Sequence, residues 1–295
     1  MSQPLLNHSE ENRRGRHIEA PFYSALERAL RRRGLRLDEV CQVDDAAARR
    51  VLEEYGAMFL AGEDVRVPPV SVFTSNEEVR EFQRAATSRA EVVGSDVIEL
   101  QPAALAALLE ARADALSEGL GITPRGGAEA ARRGFDDTLR LWESRFLPAL
   151  DYWCLRQQRL APEQAARLRT MLPWEQVAAA LELEQEGIFF SKDFSKSVLY
   201  SVAPPGASQH LSMLAFDVAE FSDPQVRRIL ARHGWFQTVQ SDLPHFTYLG
   251  LDEDELPARG LRRVMTADQD FWVPNIEENT EHRTQNTEYG NQETE

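Results

Sequence analysis

The chain has 295 residues, 42% of them hydrophobic and 8% aromatic, enough to bury a substantial core as one large domain or two small ones. No run approaches the roughly 18–20 uninterrupted apolar residues that a membrane span requires. A formal charge of -15 and a pI near 5.0 exclude a nucleic-acid surface, which needs clustered Lys and Arg to displace phosphate counterions.

The amino-terminal stretch MSQPLLNHSEENRRGRH holds polar residues where a secretory leader needs an apolar run of about 7–15 residues, so no export signal is expected. Residues 20–34, APFYSALERALRRRG, place apolar side chains at helical spacing and end on Gly34. They predict an amphipathic helix whose last-turn arginines favour the negative end of its dipole. A second helix is predicted over 46–55, a short strand over PPVSVF (68–73), and a helix capped by Ser75 that runs to about residue 86. VIEL (97–100) reads as a strand, and Pro102 fits the first turn of a helix over AALAALLEARADAL. The middle is helical, with segments over about 128–146, 147–158, 162–171 and 173–186. Composition then changes at Gly187 to a text rich in Phe, Tyr, Val, Ser, Pro and Gly, where a sheet should lie. From Ile276 onward the chain is polar and acidic, the composition of a disordered tail. Cys41 and Cys154 sit in no metal-binding spacing. They are expected to be buried or half-buried thiols, with one disulfide as the alternative.

Histidine is scarce, six in all, and two fall close together in the strand-and-loop region: His210 in PPGASQHLSMLAFDV and His245 in QSDLPHFTYLG. With Asp217 they form two imidazoles and a carboxylate, a common ligand set for catalytic zinc, which keeps its fourth position for water. Asp242 is a carboxylate left over to accept a proton from that water, and Pro244 stiffens the turn between Asp242 and His245. Taken singly, each residue has a structural reading as a satisfied core histidine or a strand-end cap; the joint spacing favours the metal. His233 reads as a cation at a helix end and Trp235 as core, while His8, His17 and His282 lie in polar terminal stretches.

PPGASQHLSMLAFD resembles the PG-x-S-x-H-x-x-G-x-A-x-D motif of the zinc D-alanyl-D-alanine carboxypeptidases of the VanY/VanX type, and DLPHFTYLG is similar to their E-x-x-H-F-x-Y segment. The resemblance implies zinc on His210, Asp217 and His245 and a catalytic base at Asp242, with Asp for Glu as in the related L-alanyl-D-glutamate endopeptidases. It also implies a substrate-binding Ser208, which read from the residues alone is a turn residue or an orienter of His210. Arg125 in ITPRGGAEAARRGF is the candidate for the arginine that holds a substrate carboxylate in such enzymes, or else a solvent-facing residue at a helix start. The family's glycine is replaced by Met213. On a strand reading, Met213 projects to the same face as Asp217 and crowds the metal.

The fold class expected is therefore α+β, with a small antiparallel sheet carrying the zinc site, as in the carboxypeptidases and the hedgehog signalling domain, and a large helical N-terminal and middle part. The divisions expected are 1–119, with no assigned role; a zinc peptidase domain, 120–255; a C-terminal extension, 256–275; and the tail, 276–295. The activity implied is hydrolysis of a peptidoglycan stem peptide or other D-Ala-terminated peptide, with one Zn2+ per chain and no nucleic acid or membrane span. The alternative is a zinc-binding module without turnover. The resemblance implies a place in the cell envelope or outside the cell; the missing leader favours the cytoplasm.

Overall fold

The computed structural model describes residues 20–277. His8, His17, His282 and the tail from residue 278 lie outside the described residues. The architecture is α+β, with helices dominating the first two thirds and short antiparallel strands gathered toward the end.

Each helix begins where the sequence supplies a start signal. Helix α1 (Pro21–Arg32) has proline in its first turn and buries Phe22, Tyr23, Leu26 and Leu30 on one face. After the single-turn α2 (Leu37–Val40), α3 (Ala46–Tyr55) is capped by Asp45, whose side chain accepts from Ala47 N and Ala48 N. Ser75 caps α4 (Asn76–Ala86) in the same way, and Pro102 opens α5 (Pro102–Ser117). Helix α6 (Phe135–Asp151) starts seven residues later than its periodicity suggests, because Gly134 is the residue at which the chain turns into it. It runs through Pro148 into a π-turn over Tyr152–Arg156. Helices α7 (Pro162–Thr170), α8 (Pro173–Gln185) and α9 (Pro224–Arg232) all begin at prolines.

Among the described residues there are three small sheets. Strands β1 (Arg89–Val93) and β2 (Asp96–Leu100) form a hairpin. Strands β3 (Ala215–Asp217), β5 (His245–Tyr248) and β4 (Trp235–Phe236) form a central antiparallel sheet in that order, and β6 (Leu261–Thr266) and β7 (Gln269–Pro274) form a second hairpin. PPVSVF is not a strand. Its two prolines lack N–H donors, and the donors of Ser71 and Phe73 go singly to Val40 O and Gly206 O.

The largest apolar cluster joins α1, β2 and α5 to the central sheet through Phe216, Trp235, Phe246 and Tyr248, so the N-terminal helices pack directly behind the strands. A second cluster stacks Trp142, Phe146 and Phe190 between α6 and the 188–203 segment. Helix α3 anchors that segment: Tyr55 Oη donates to Leu199 O at 2.7 Å, and Arg50 donates to Tyr200 Oη at 3.0 Å. The two cysteines are free thiols, Cys41 buried and Cys154 half-buried.

Glu54, beside this anchor, has its carboxyl pushed up to about 7 by burial, against which Arg50 offers only partial compensation. Between the ordinary glutamate value and that one, the folded chain keeps a proton the unfolded chain has released, so this residue's contribution makes stability fall as pH rises. Glu54→Gln is expected to raise stability at pH 8 by on the order of 3 kcal/mol and to change little at pH 4, as measured by urea unfolding at both.

Candidate metal centre

The register of the central sheet sets Asp217 directly opposite His245 on neighbouring antiparallel strands, so their side chains share one face. His210 comes from the 3-10 turn Gln209–Ser212, which the chain leaves through Met213 on its way into β3. Three atoms converge: His210 Nε2 is 3.2 Å from Asp217 Oδ1, His245 Nδ1 is 3.2 Å from the same oxygen, and the two nitrogens are 3.1 Å apart. All three residues are buried.

Met213 is not on a strand. Its φ of 59° and ψ of 30° are left-handed, the conformation for which glycine is suited, and β3 begins only at Ala215. Its side chain is wholly buried with Phe73, Val79, Phe82 and Leu211, away from the metal ligands, so the expected crowding does not arise. Met213→Gly relieves about 1 kcal/mol of backbone strain but empties a methionine-sized space worth about 2–5 kcal/mol. A net loss of about 2 kcal/mol is expected in urea unfolding, with metal content unchanged.

The surroundings keep the three groups in ligand-ready states. His210 Nδ1 donates to Ala131 O at 2.9 Å, an acceptor-only carbonyl, which leaves Nε2 bare toward Asp217. Burial, reinforced by the charge of Arg133, pushes the His210 imidazole down to about 4, so it is neutral at pH 7. Arg133 donates to the other carboxylate oxygen of Asp217, Oδ2, at 2.7 Å, which leaves Oδ1 alone facing the histidines. Three electron-pair donors packed this closely in a buried site repel one another until a cation takes the space between them, and this group can hold a metal ion.

Beside the triad lies a cleft of about 280 Å³ lined by Ser208, His210, His245, Asp242, Arg133, Arg145 and the 199–203 wall. Asp242 sits at its mouth, open to solvent on one side and ringed by protein on the others. That confinement raises its carboxyl above the ordinary value, Asp217 adding to the effect while His245, Arg133 and Arg125 oppose it. The backbone bond from His245 N to Asp242 O, 3.1 Å, ties the two positions together.

Of the residues singled out in the sequence, the structure gathers His210, Asp217, His245, Asp242 and Ser208 around this cleft. Ser208 lines it without bonding His210; the Ala131 carbonyl takes that partner's place. Arg125 does not line it: its backbone N–H donates to Asp217 O at 2.8 Å and its guanidinium lies 5.5 Å over the Phe221 ring. Arg133, Arg145 and Gln209 carry no motif signal, and their places here follow from folding alone. His233 closes α9 and contacts Asp114 at 2.8 Å, and Trp235 is core. Among the described residues, no helix is long and apolar enough to cross a membrane. No protein-family model, curated protein or solved structure matches the chain.

Proposed function

We propose that this protein is a zinc-dependent peptidase of the D-alanyl-D-alanine carboxypeptidase type, acting on peptides that contain D-amino acids. The observation that carries the reading is the convergence of His210 Nε2, His245 Nδ1 and Asp217 Oδ1 at 3.1–3.2 Å beside an open cleft with a further carboxylate at its mouth. Tetrahedral ligands about 2.0–2.1 Å from zinc stand roughly 3.3 Å apart, close to these separations, and two imidazoles with one carboxylate leave one position for chemistry. The residue spacing that resembles the carboxypeptidase motifs supplies the substrate class.

A bound zinc would supply a Lewis acid for the scissile carbonyl and make an adjacent water more acidic. The chain does the rest. Asp242, whose carboxyl burial raises above the ordinary value, takes the proton of the attacking water and returns it to the leaving amine. Ser208 offers a hydroxyl to the bound peptide from the cleft floor. A substrate carboxylate has two candidate anchors. Arg125 stands outside the cleft with its guanidinium over the Phe221 ring, and Arg145 stands in the cleft wall, where among the described residues its guanidinium bonds the hydroxyls of Ser201 and Ser144.

Metal analysis of the purified chain is expected to give about one zinc per chain, and His245→Ala to lose it. Mass spectrometry of D-Ala-terminated peptides and muropeptides incubated with the zinc-loaded protein tests the activity. Stoichiometric zinc without cleavage of any of them would favour the non-catalytic binding module, and no zinc at all would reject both readings.

A further inference from the structure

The other ring nitrogen of His245 leads away from the metal centre into the N-terminal region. His245 Nε2 is 2.8 Å from Gln209 Oε1, and the hydroxyl of Thr247 reaches the same oxygen. The amide nitrogen of Gln209 donates to Tyr55 O at 2.8 Å and to Thr238 Oγ1 at 3.4 Å, and the two threonine hydroxyls are 2.6 Å apart. Gln209 is 1% exposed, His245 4%, and both threonines are sealed, so no bulk water can substitute for a missing partner.

Around Gln209, one proton arrangement satisfies every partner of its amide. Tyr55 O lies where α3 passes into the 3-10 turn Gly56–Leu60. As a pure acceptor it must face the amide N–H, which turns Oε1 toward His245 and Thr247. Both of these must then donate. With its proton spent on Gln209, Thr247 accepts from Thr238, which in turn accepts the second amide proton, and the ring Gln209–Thr238–Thr247–Gln209 closes with each hydroxyl donating once and accepting once. Flipping the amide would set Oε1 against the Tyr55 carbonyl, each buried unpaired group costing about 1–3 kcal/mol.

We infer that Gln209 is a positioning residue that holds His245 as its Nε2–H tautomer with a bare Nδ1 turned to the metal centre, and that Tyr55, in the N-terminal helical region, sets this orientation. The inference takes its purpose from the metal-centre reading, but its geometry stands without a metal. It also gives residues 1–119 a part in the site: the end of α3 fixes the proton on a ligand 190 positions further along the chain. The same logic acts on His210 through the Ala131 carbonyl, so each imidazole spends one nitrogen on an acceptor and presents the other.

The test uses the full chain labelled with 15N-histidine, long-range 1H–15N correlation at pH 8, and zinc affinity by chelator competition. The metal-free protein is expected to show His245 protonated at Nε2, with the Nδ1 resonance moving when zinc is added. Gln209→Leu is expected to mix the tautomers and weaken zinc binding 10–100-fold, about the effect of losing an outer partner of a metal ligand. If the leucine variant does not fold, the tautomer of His245 in the metal-free wild type decides alone. Nδ1–H on His245 in the metal-free wild type would overturn the inference, as would an unchanged tautomer and zinc affinity in Gln209→Leu. If the wild type takes up no zinc, the peptidase reading fails, while the tautomer measurement still decides this one.

Discussion

Replacing Asp242 with Asn is expected to leave zinc content at the wild-type level and to lower peptide hydrolysis by about 10²–10⁴-fold, the usual contribution of a positioned general base. The two outcomes separate because Asp242 stands outside the triad. The buried group that could hold a metal is His210, Asp217 and His245, and Asp242 faces the cleft from its mouth. Asn has the size of Asp and keeps the backbone bond to His245 N, but it cannot accept a proton at neutral pH. The pH profile adds an independent sign. A base must be ionised to act, so kcat/KM rises with pH through the raised carboxyl of Asp242, and that acid limb should vanish with the Asn variant. Asp242→Glu, which supplies the residue of the carboxypeptidase motif that this segment resembles, should recover activity. Hydrolysis at the wild-type rate in zinc-loaded Asp242→Asn would remove Asp242 from the chemistry.

What the sequence made legible was local, or lay on adjacent strands. Helix starts at Asp45, Ser75, Pro102 and Pro173 could be read because a cap or first-turn proline acts within one turn of chain. Asp217 and His245 could be brought together because, with His210, they make up two imidazoles and a carboxylate in a spacing that resembles a known zinc motif, and the sheet register sets them opposite each other. Strands β1 and β6 were not legible: four of the five β1 residues are exposed, and β6 leaves Met265 in solvent, so neither carries the apolar signature of a buried face. The strand expected at PPVSVF failed for the opposite reason. Its composition is right but its donors have no ladder to join. Least legible was the outer support of the site. Gln209 meets Tyr55 across 154 positions, and no spacing in the text announces an amide caught between a helix end and an imidazole. Met213 shows how a substitution read as damage to the pocket can be a packing residue, since its left-handed backbone sends the side chain into a separate cluster.

The largest loss of stability is expected from Gly206→Ala, in the Pro-Pro-Gly turn that delivers Ser208, Gln209 and His210. Gly206 has a φ of 79°, and a Cβ placed there would lie 1.9 Å from Phe73 O and 2.8 Å from Phe73 C. Those are backbone atoms, so no side chain can swing aside to make room. The contact is close because the two segments are bonded: Phe73 N donates to Gly206 O at 3.0 Å, and Gly206 N donates to Thr138 Oγ1 at 3.2 Å. Adding one methyl therefore breaks both bonds and displaces the turn that carries His210. Gly34 provides the control, because its φ is also left-handed, 72°, but nothing lies within 4 Å of the added carbon. Gly34→Ala is expected to cost only about 1 kcal/mol of backbone strain. Gly206→Ala should cost about 4 kcal/mol or more in urea unfolding and reduce zinc content even in the folded fraction, because His210 no longer meets its partners. Equal losses for the two variants would mean that the approach of Gly206 to Phe73 does not hold the turn, and that His210 is positioned by something else.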